Sequence, residues 1–509
     1  MAAQPPPPPP PPAQDVRDVL VVGGGINGCG IARDLAGRGF SVILAERDDL
    51  AAHTSSCSTK LIHGGLRYLE HREFLLVRKS LLERELLLRS APHLMGAMRF
   101  VMPFHEGVGR PAWMIRLGLF LYDHLARREW LPGSCGVKLA GTELGEPLQP
   151  RFTRGFEYSD GWVDDARLVV ACALDAQERG AQVLTRTEVI EARRDTGLWQ
   201  VRLRGPECEQ TLRTRLLVNA AGPWAERFLR GAVQQQPRHQ LRLVRGSHIV
   251  VPRRFRHDHA YLFQNEDGRI IFAIPYREQF TLIGTTDAEV VEPGDAHISE
   301  AECAYLCAQA SRYFREPVRA DEIRWTYGGV RPLIDDAHVG SAQTASRDYL
   351  LELDEAEAPL MTVWGGKLTT FRKLAEQAAD RITQLLGSKA PAWTGAATLP
   401  GGDLSCWIAT TGRPDHDFER FVSALQSRYA AQPLPLLRRL ARAYGSRVDR
   451  VLDEPGIEVA PGLLEGELRH LVQSEWARTA EDILWRRSKL GLVLDESQQR
   501  AVGDWLSSH

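Results

Sequence analysis

The sequence predicts an α/β fold with a parallel sheet, an antiparallel sheet beside it and a helical domain at the carboxyl end. An apolar strand, a small-residue turn and a helix follow one another three times, from Asp18, Thr214 and Leu360, and such units build parallel sheets. Alternating strands between about residues 239 and 332 predict an antiparallel meander. From about Trp393 onward the pattern is largely helical.

The first strand-turn-helix unit carries a glycine motif typical of a dinucleotide site. Gly23, Gly25 and Gly28 have the G-x-G-x-x-G spacing directly after the apolar strand. Gly23 allows the tight turn, Gly25 admits a pyrophosphate to the backbone, and Gly28 lets the helix pack closely on the strand. Glu46 ends the second strand, where a carboxylate binds an adenosine ribose and disfavours the 2′-phosphate of NADP. The motif therefore predicts a Rossmann-type domain.

Composition narrows the classes of protein to consider. The chain has 509 residues, 43% hydrophobic and 25% charged, with a formal net charge of -2. This length predicts two or three domains, and the charge balance gives no sign of disorder or of a nucleic-acid partner. No apolar run reaches the ~20 residues that span a bilayer, which argues against an integral membrane protein. Eight cysteines without a C-x-x-C pair predict neither a metal site nor disulfides, and they fit a reducing cytoplasm.

The same patterns predict where the parts of the chain begin and end. Residues 1–14 contain a run of eight prolines and are predicted to be a disordered tail rather than a targeting signal. Residues 15–392 hold the strand-turn-helix units, interleaved with a cap domain drawn mainly from residues 70–160 and 239–332. Residues 393–509 are predicted to form a separate helical domain.

Longer motifs carry more information than the glycine spacing. The chain contains VVGGGINGCGIARD, SSCSTKLIHGGLRYLE, RGFEYSDGWVDDARL, NAAGPW, RGSHIVVP, IGTTD, WTYGGVRPL and WGGKLTTFRKLAE. Together these motifs resemble the FAD-dependent, aerobic glycerol-3-phosphate dehydrogenases over almost the whole chain. The resemblance implies a glutathione-reductase-like FAD-binding domain of Rossmann type with an antiparallel substrate-binding sheet and a C-terminal helical domain.

The resemblance also implies a reaction. Enzymes of this family oxidise sn-glycerol 3-phosphate to dihydroxyacetone phosphate by hydride transfer to FAD, and they pass the electrons to a membrane quinone. No EF-hand spacing occurs after Trp393, so the chain is similar to the bacterial rather than the mitochondrial members. The long insert of the related glycerophosphate oxidases is not found either, which favours a quinone over oxygen. We therefore expect a cytoplasmic enzyme attached peripherally to the inner face of the cytoplasmic membrane.

The resemblance places FAD against the glycine motif and against a hydroxyl-rich loop at residues 54–60. Taken alone, that loop is equally well explained as a solvated polar turn. Backbone groups of Val189 are expected on the adenine side of FAD. The predicted FAD-binding residues are Gly23, Gly25, Ile26, Asn27, Gly28, Glu46, Thr54, Ser55, Ser56, Ser58, Lys60, His63, Gly64, Gly65, Val189, Gly222, Gly366, Lys367 and Thr369.

A phosphorylated substrate also requires cationic side chains. Arg67 and Arg331 are the candidates, because a guanidinium makes paired, charge-assisted hydrogen bonds to phosphate. The resemblance places both near the substrate, although structural ion pairs would explain either arginine by itself. His248, Thr285 and Lys367 complete the expected substrate-binding set.

The catalytic residues implied by the resemblance are His248, Arg331 and Lys367. Histidine accepts a proton near neutral pH, and His248 alternates with apolar residues on a predicted strand. A lone strand histidine is otherwise structural, and His63 is a second candidate, so the proton acceptor stays open. The Asp164–Asp165 pair starts a predicted helix and is expected to cap it rather than to act on substrate.

A quinone acceptor requires a surface that meets the membrane. Residues 110–130 combine Trp113, Ile115, Leu117, Phe120 and Leu121 with flanking arginines, as interfacial helices do. Burial in the core or in a homodimer contact explains the same pattern. Basic positions in the C-terminal helices are a second candidate surface for binding anionic lipid. A solvated helix face is the default explanation for them. These positions are Arg438, Arg439, Arg442, Arg486 and Arg487.

Two other functions compete with the quinone-linked dehydrogenase. One is an oxidase or an amine-oxidising flavoenzyme of the same fold, and the other is a flavin-binding protein without turnover. Arg67 and Arg331 argue against amine oxidation, because an amine substrate has no phosphate to neutralise. A protein without turnover would keep its flavin colour when substrate is added.

Overall fold

The computed structural model describes residues 16–107, 110–335 and 348–509, and the predicted tail, residues 1–14, lies outside these ranges. The strands are β1 (Val16–Val22), β2 (Val42–Ala45), β3 (Leu61–Ile62), β4 (Met95–Phe104), β5 (Cys135–Lys138), β6 (Arg154–Val163), β7 (Gln182–Leu184), β8 (Glu188–Asp195), β9 (Leu198–Arg204), β10 (Glu209–Asn219), β11 (Leu241–Pro252), β12 (Ala260–Gln264), β13 (Ile270–Tyr276), β14 (Phe280–Gly284), β15 (Ala288–Glu289), β16 (Trp325–Ile334), β17 (Tyr349–Asp354), β18 (Leu360–Gly365), β19 (Glu458–Ala460) and β20 (Leu463–Leu464). The α-helices are α1 (Ile26–Gly37), α2 (Phe74–Ser90), α3 (Ala112–His124), α4 (Asp165–Glu178), α5 (Ala225–Phe228), α6 (Glu300–Ser311), α7 (Phe371–Leu385), α8 (Pro414–Arg428), α9 (Leu434–Tyr444), α10 (Asp449–Leu452), α11 (Glu465–Ser474) and α12 (Glu496–Ser508).

The first sheet is a parallel sheet with β1 at its centre. Its parallel strands follow the order β18-β10-β1-β2-β7, and β17 pairs antiparallel with β18. Val19, Leu20 and Val21 are fully buried, as in parallel strands covered on both faces. Side chains of α1, α4 and α7 share one apolar core with β1, and the β8–β9 hairpin closes the opposite face. The predicted Rossmann-type domain is confirmed.

The second sheet is built from two separated stretches of the chain. Its strands follow the order β15-β11-β14-β13-β12-β4-β6-β3, with β16 also paired to β11 and β5 to β6. The pairs are antiparallel, except that β4 runs parallel to β12. The strands β3, β4, β5 and β6 form the first stretch, the remaining strands begin at Leu241, and strands β7 to β10 of the first sheet lie between the two stretches along the chain.

The C-terminal helices pack around their own apolar core, which includes Phe421, Leu440 and Leu468. Buried ion pairs join this region to the first sheet and its helices. Arg167 on α4 lies 2.9 Å from the Glu475 carboxylate, and the guanidinium of Arg487 lies 2.8 Å from Asp49 in the loop after β2. The helical region therefore contacts the loop that leads into the hydroxyl-rich segment.

Helix α3 is apolar on two faces. Ile115, Leu119 and Tyr122 are buried, whereas Trp113 and Leu117 are 66% and 51% exposed. Phe120 extends the exposed row by one turn, and this row is called the α3 apolar face below. Among the described residues, no helix is long and apolar enough to cross a bilayer.

Candidate active site

A cavity of about 750 Å³ lies between the carboxyl ends of the parallel strands and the second sheet. Clefts at this edge of a doubly wound sheet are the usual ligand sites, and the volume suits a large organic ligand. Most of the residues predicted to bind cofactor or substrate line it: Gly23, Gly25, Ile26, Asn27, Glu46, Thr54, Ser55, Ser58, His63, Gly65, Arg67, Val189, Gly222, Thr285, Arg331, Gly366, Lys367 and Thr369. Their individual roles stay predictions.

The glycine motif forms a tight cradle between β1 and α1. Gly23 has a φ of +111°, and a Cβ there would lie 2.5 Å from the carbonyl oxygen of Ala220. A Cβ on Gly28 would lie 1.9 Å from the Gly23 carbonyl oxygen, so this glycine lets α1 pack against the turn and does not itself line the cavity. The start of α1 therefore borders the cavity with backbone N–H groups, which suit an anionic ligand.

The loop after β2 completes that end of the cavity. The Ser55 hydroxyl accepts a hydrogen bond of 3.0 Å from the backbone N–H of Ile26, which fixes the loop against the helix start. The Glu46 carboxylate accepts hydrogen bonds from the N–H groups of Gly24 at 2.6 Å and Asp48 at 2.8 Å. Burial raises the pKa of Glu46, while these backbone donors favour the ionised form. A carboxylate has further lone pairs, so Glu46 retains the capacity to accept ribose hydroxyls.

The turn after β18 meets this loop region from the other side. A Cβ on Gly366, whose φ is +111°, would lie 2.8 Å from Asn27 Nδ2. Lys367 Nζ donates to the backbone carbonyl of His63 at 2.6 Å, and the His63 N–H donates to Thr369 Oγ1 at 3.2 Å. These contacts fix Lys367 and the His63 backbone relative to each other on the cavity wall.

Three cationic side chains, Arg67, Arg331 and Lys367, line the cavity and form what is called the cationic wall below. Lys367 Nζ lies 5.0 Å from the ring of Tyr68, which follows Arg67 in a 3₁₀ turn over Leu66–Leu69. The structure thus places the arginines predicted for phosphate binding in the wall of one cavity.

Neighbouring side chains orient the Arg331 guanidinium. It lies 2.5 Å from Asp287 Oδ1 and donates to Thr285 Oγ1 at 2.9 Å. Gly246 leaves room for this arrangement, because a Cβ there would lie 1.8 Å from the Arg331 guanidinium. A bulkier residue at position 246 would displace Arg331 from the wall.

Two of the predicted FAD-binding residues, Lys60 and Ser56, do not line the cavity, and their role toward FAD stays a prediction. Lys60 is 4% exposed, and its Nζ donates to the Asp165 carboxylate at 2.7 Å and to the Ser56 carbonyl at 2.5 Å. The Ser56 hydroxyl donates to the His53 carbonyl at 3.2 Å. Both side chains therefore hold the loop from behind. Gly64 also lies behind the wall, where its N–H donates to the Tyr122 hydroxyl at 2.8 Å.

His248, which is predicted to be a substrate-binding and catalytic residue, lies behind the cavity wall rather than in it, and its role stays a prediction. Its Nε2 lies 2.9 Å from Thr59 Oγ1, and Thr59 does line the cavity. Burial, together with the charges of Lys60 and Arg331, holds the pKa of His248 well below its ordinary value. The imidazole is therefore neutral near pH 7.

The Asp164–Asp165 pair lies at the start of α4 and caps the helix, as predicted from the sequence. The Asp164 side chain accepts a hydrogen bond from the N–H of Arg167 at 3.3 Å, as a helix cap does. Asp165 accepts from the hydroxyl of Ser58 at 2.7 Å in addition to Lys60. Asp165 thus fixes the hydroxyl-rich loop at two points.

Several polar residues of the cavity wall were not predicted from the sequence, and three of them are Thr59, Tyr68 and Asp287. Each lies inside a motif that the sequence made prominent, namely STK, GGLRYLE and IGTTD. Proximity to a predicted residue within the same motif was the signal that could have indicated them.

Comparison with known proteins identifies the family. Residues 18–372 match the family model described as FAD dependent oxidoreductase, and residues 392–504 match the C-terminal domain of alpha-glycerophosphate oxidase. The chain is 50% identical to the glycerol-3-phosphate dehydrogenase of Pseudomonas aeruginosa over 504 residues, which cover 97% of this chain and 96% of that protein. This chain belongs to the FAD-dependent glycerol-3-phosphate dehydrogenase family.

Other members of this family are similar over comparable lengths. The aerobic glycerol-3-phosphate dehydrogenase of Escherichia coli is 46% identical, with 97% of each chain covered. The D-erythritol 1-phosphate dehydrogenase of Brucella abortus is also 46% identical, with 96% of this chain and 98% of that protein covered. The X-ray structure of the glycerol-3-phosphate dehydrogenase from Bacillus halodurans complexed with FAD has a TM-score of 0.76, 29% identity, and covers 97% of this chain and 90% of that chain.

FAD is the cofactor of the family, and the cavity residues fit it. The cradle at Gly23 and Gly25 and the first N–H groups of α1 suit the pyrophosphate, because a side chain at Gly23 would collide with backbone. Glu46 and Val189 also line the cavity, and Gly366 lines it beside Lys367 of the cationic wall.

Proposed function

We propose that this protein oxidises sn-glycerol 3-phosphate to dihydroxyacetone phosphate with FAD as the hydride acceptor. The observation that carries this proposal is the cationic wall, because it provides three positive charges within a cavity that also contains a dinucleotide cradle. A phosphate dianion requires such charges, whereas an amino acid or amine does not. The printed names of the most similar relatives support the same substrate class.

The side chains of the cationic wall and the partners of Arg331 each have a defined role in this reaction. The guanidinium groups of Arg67 and Arg331 hold the phosphate, and Asp287 and Thr285 keep Arg331 oriented. Lys367, fixed to the His63 carbonyl, donates to the substrate oxygens near the reacting carbon. When bound, FAD supplies the hydride-accepting ring, and the protein supplies the alignment of substrate and the proton acceptor.

The reaction is tested by anaerobic titration of the purified, FAD-loaded protein. We expect its visible flavin absorbance to disappear with glycerol 3-phosphate, because two electrons move from the substrate to the flavin. D-Erythritol 1-phosphate is the matched competitor, since a relative named for that substrate is 46% identical. Faster bleaching by D-erythritol 1-phosphate would reassign the substrate, and absence of bleaching with both would contradict the proposed function.

We further propose that the reduced enzyme passes its electrons to a membrane quinone at the α3 apolar face. Trp113, Leu117 and Phe120 are exposed there, and such a row is a surface for lipid or for a partner. Arg116, which is also exposed, adds positive charge for anionic headgroups. Helix α3 contacts the 3₁₀ turn that carries Arg67, so the helix lies near the cationic wall.

Vesicle binding tests the proposed membrane face. The FAD-loaded protein is sedimented with phosphatidylglycerol–phosphatidylethanolamine vesicles and assayed with a water-soluble dye as electron acceptor. We expect Leu117→Glu and Phe120→Glu to abolish sedimentation and to leave dye reduction intact, whereas Val291→Glu, at an 87% exposed position elsewhere, should change neither. Unchanged sedimentation with a halved molecular mass would instead identify the α3 apolar face as a homodimer contact.

By contrast, several of the C-terminal arginines have partners inside the protein. Arg439 and Arg487 are bonded to Glu467 and Asp49, and Arg442 packs 4.8 Å from the ring of Trp162. Arg438 pairs instead with the exposed Glu419, so lipid binding by these helices stays a prediction. A peripheral attachment at the membrane therefore rests on α3 in this proposal.

A further inference from the structure

The second sheet contains a bulge beside the cationic wall. Strand β11 pairs with β14 at His248 and Gly284, and with β15 at Arg245 and Ala288. Between these two pairs, two residues of β11 lie opposite three residues, 285–287, which are called the 285–287 bulge below. A bulge redirects side chains out of the regular ladder, and bulges are frequent next to active sites. Two of the three bulge residues line the cavity.

Each residue of the bulge provides an acceptor for Arg331. The guanidinium donates to Asp287 Oδ1 at 2.5 Å, to Thr285 Oγ1 at 2.9 Å and to the Thr286 carbonyl at 3.3 Å. Because these three acceptors belong to one short segment, a shift of the segment moves all of them together. The orientation of Arg331 therefore depends on what holds the 285–287 bulge in place.

The Glu302 carboxylate joins the bulge to β11 from behind. Glu302 lies on α6 and is 8% exposed. Its Oε1 accepts hydrogen bonds from the Thr286 hydroxyl at 2.7 Å and from the Ser247 hydroxyl of β11 at 2.8 Å. The Ser247 N–H donates in turn to Thr286 Oγ1 at 3.0 Å. Thr286 and Ser247 are both buried, so one acceptor oxygen connects the helix, the strand and the bulge in the protein interior.

The other oxygen of Glu302 is bonded to groups outside the bulge. Its Oε2 accepts from the Arg245 guanidinium at 2.7 Å and from the Ser299 N–H at 3.0 Å, in the capping box of α6. Burial favours the neutral acid, but the hydrogen bonds to both oxygens outweigh it and lower the pKa of Glu302 to about 2. The carboxylate is therefore ionised at neutral pH, and Arg245 offsets its charge.

We propose that Glu302 is a positioning residue for phosphate binding, an inference that rests on the proposed function and deepens it. Glu302 is not among the residues that line the cavity. It holds Thr286, and the bulge that contains Thr286 orients the Arg331 guanidinium. A guanidinium binds phosphate through paired N–H groups, so its affinity depends on the orientation of its plane. The alternative is that Glu302 only caps α6, in which case it stabilises the fold without affecting phosphate.

The affinity of the oxidised, FAD-loaded protein for inorganic phosphate, measured by calorimetry, tests this proposal. Thr286→Val keeps the shape of the side chain, removes the hydroxyl bonded to Glu302 and leaves the cap of α6 intact. We expect phosphate binding to weaken about 10-fold, as for the loss of one hydrogen bond to a charged group. Thr286→Ser should bind phosphate as the wild type does. Glu302→Ala should weaken binding at least as much as Thr286→Val, which remains decisive if Glu302→Ala does not fold.

A double substitution distinguishes action through Arg331 from a general loss of order. Residues that act through a shared partner have non-additive effects on binding. In the Arg331→Ala protein, Thr286→Val should therefore cause no further loss of phosphate affinity. A further loss as large as the one in the wild-type background would show that the hydroxyl does not act through Arg331, and it would overturn the proposal.

Two matched controls lower stability without touching the bulge. Ser299→Ala removes the hydroxyl that caps α6, and Glu467→Ala removes a buried carboxylate that accepts from the Tyr444 hydroxyl at 2.8 Å in the helical region. Both should lower the free energy of unfolding and leave phosphate binding unchanged. A loss of phosphate affinity in Glu467→Ala as large as that in Thr286→Val would overturn the proposal, because destabilisation alone would then explain the effect.

Failure of this proposal and failure of the proposed function give different results. Wild-type phosphate affinity in Thr286→Val and Glu302→Ala would overturn the positioning role, even if glycerol 3-phosphate bleaches the flavin. Phosphate binding that depends on Thr286 and Arg331, in a protein that neither polyol phosphate bleaches, would overturn the proposed oxidation and support the positioning role. Absence of phosphate binding by the wild type would overturn both.

Discussion

Arginine has different surroundings in two regions of this molecule, the cavity wall and the contact between the C-terminal helices and the parallel sheet. In the contact region, Arg487 and Arg167 are paired with buried carboxylates. In the cavity, Arg331 has Asp287 as a partner, but Arg67 and Lys367 add further positive charge to the same wall. Buried pairs of balanced charge hold elements together, whereas a wall with excess positive charge attracts an anionic ligand.

The largest effect is expected from breaking a buried pair at the contact. Arg487→Met removes two charge-assisted hydrogen bonds from the Asp49 carboxylate, which is 3% exposed, and leaves it the guanidinium of Arg486. We expect a loss of about 3–5 kcal/mol in the free energy of unfolding, measured by urea denaturation. Arg438→Ala is the matched control, because its partner Glu419 is exposed and such a pair contributes about 0.2–1 kcal/mol. Equal losses in both variants would contradict the contrast between buried and exposed arginines.

The contact region should also determine stability in acid. Burial opposes ionisation of Glu475, but Arg167 and a hydrogen bond from His470 outweigh it and lower its pKa from 4.5 to about 2. A depressed pKa stabilises the folded state above pH 4.5 and ceases to do so as the pH falls towards 2. We expect Glu475→Gln to be less stable than the wild type at neutral pH and the difference to shrink in acid. A difference that stays constant with pH would show that Glu475 acts by shape rather than by charge.

Substitution of Arg331 in the cavity should change the stability of the fold less than substitution of Arg487, but it should clearly weaken ligand binding. Arg331→Ala should weaken binding of inorganic phosphate about 10- to 100-fold, as for the loss of a charge-assisted hydrogen bond of roughly 1.5–3 kcal/mol. The affinity for FAD should change far less. Arg331→Lys keeps the positive charge but lacks the paired N–H donors of the guanidinium, so it should give an intermediate affinity for phosphate. Equal losses of phosphate and FAD affinity would indicate that Arg331 supports the fold instead.

Sequence reasoning succeeded where the constraint is local and failed where the partner is distant. The glycine motif, the strand before it and the cap at Asp164 depend on neighbours within a few residues, and the structure has them as predicted. The sequence did not indicate that the Lys60 side chain is bonded to Asp165, because this partner lies 105 residues away.

The histidine on β11 shows a different limit. Alternation along a strand predicts which face a side chain occupies, but not what lies between that side chain and a cavity. His248 therefore occupies the expected strand, while the Thr59 loop separates it from the substrate space. The basic C-terminal helices show the same limit as Lys60, because a run of arginines does not reveal which of them pair with carboxylates from elsewhere in the chain.

The pair between Asp49 and Arg487 joins residues that are 438 positions apart. Since a chain leaves the ribosome from its amino terminus, the loop after β2 is made long before the guanidinium that anchors it. The segment beside the flavin site gains this anchor only near the end of translation. We therefore expect newly made chains to capture FAD durably after release from the ribosome, not during synthesis.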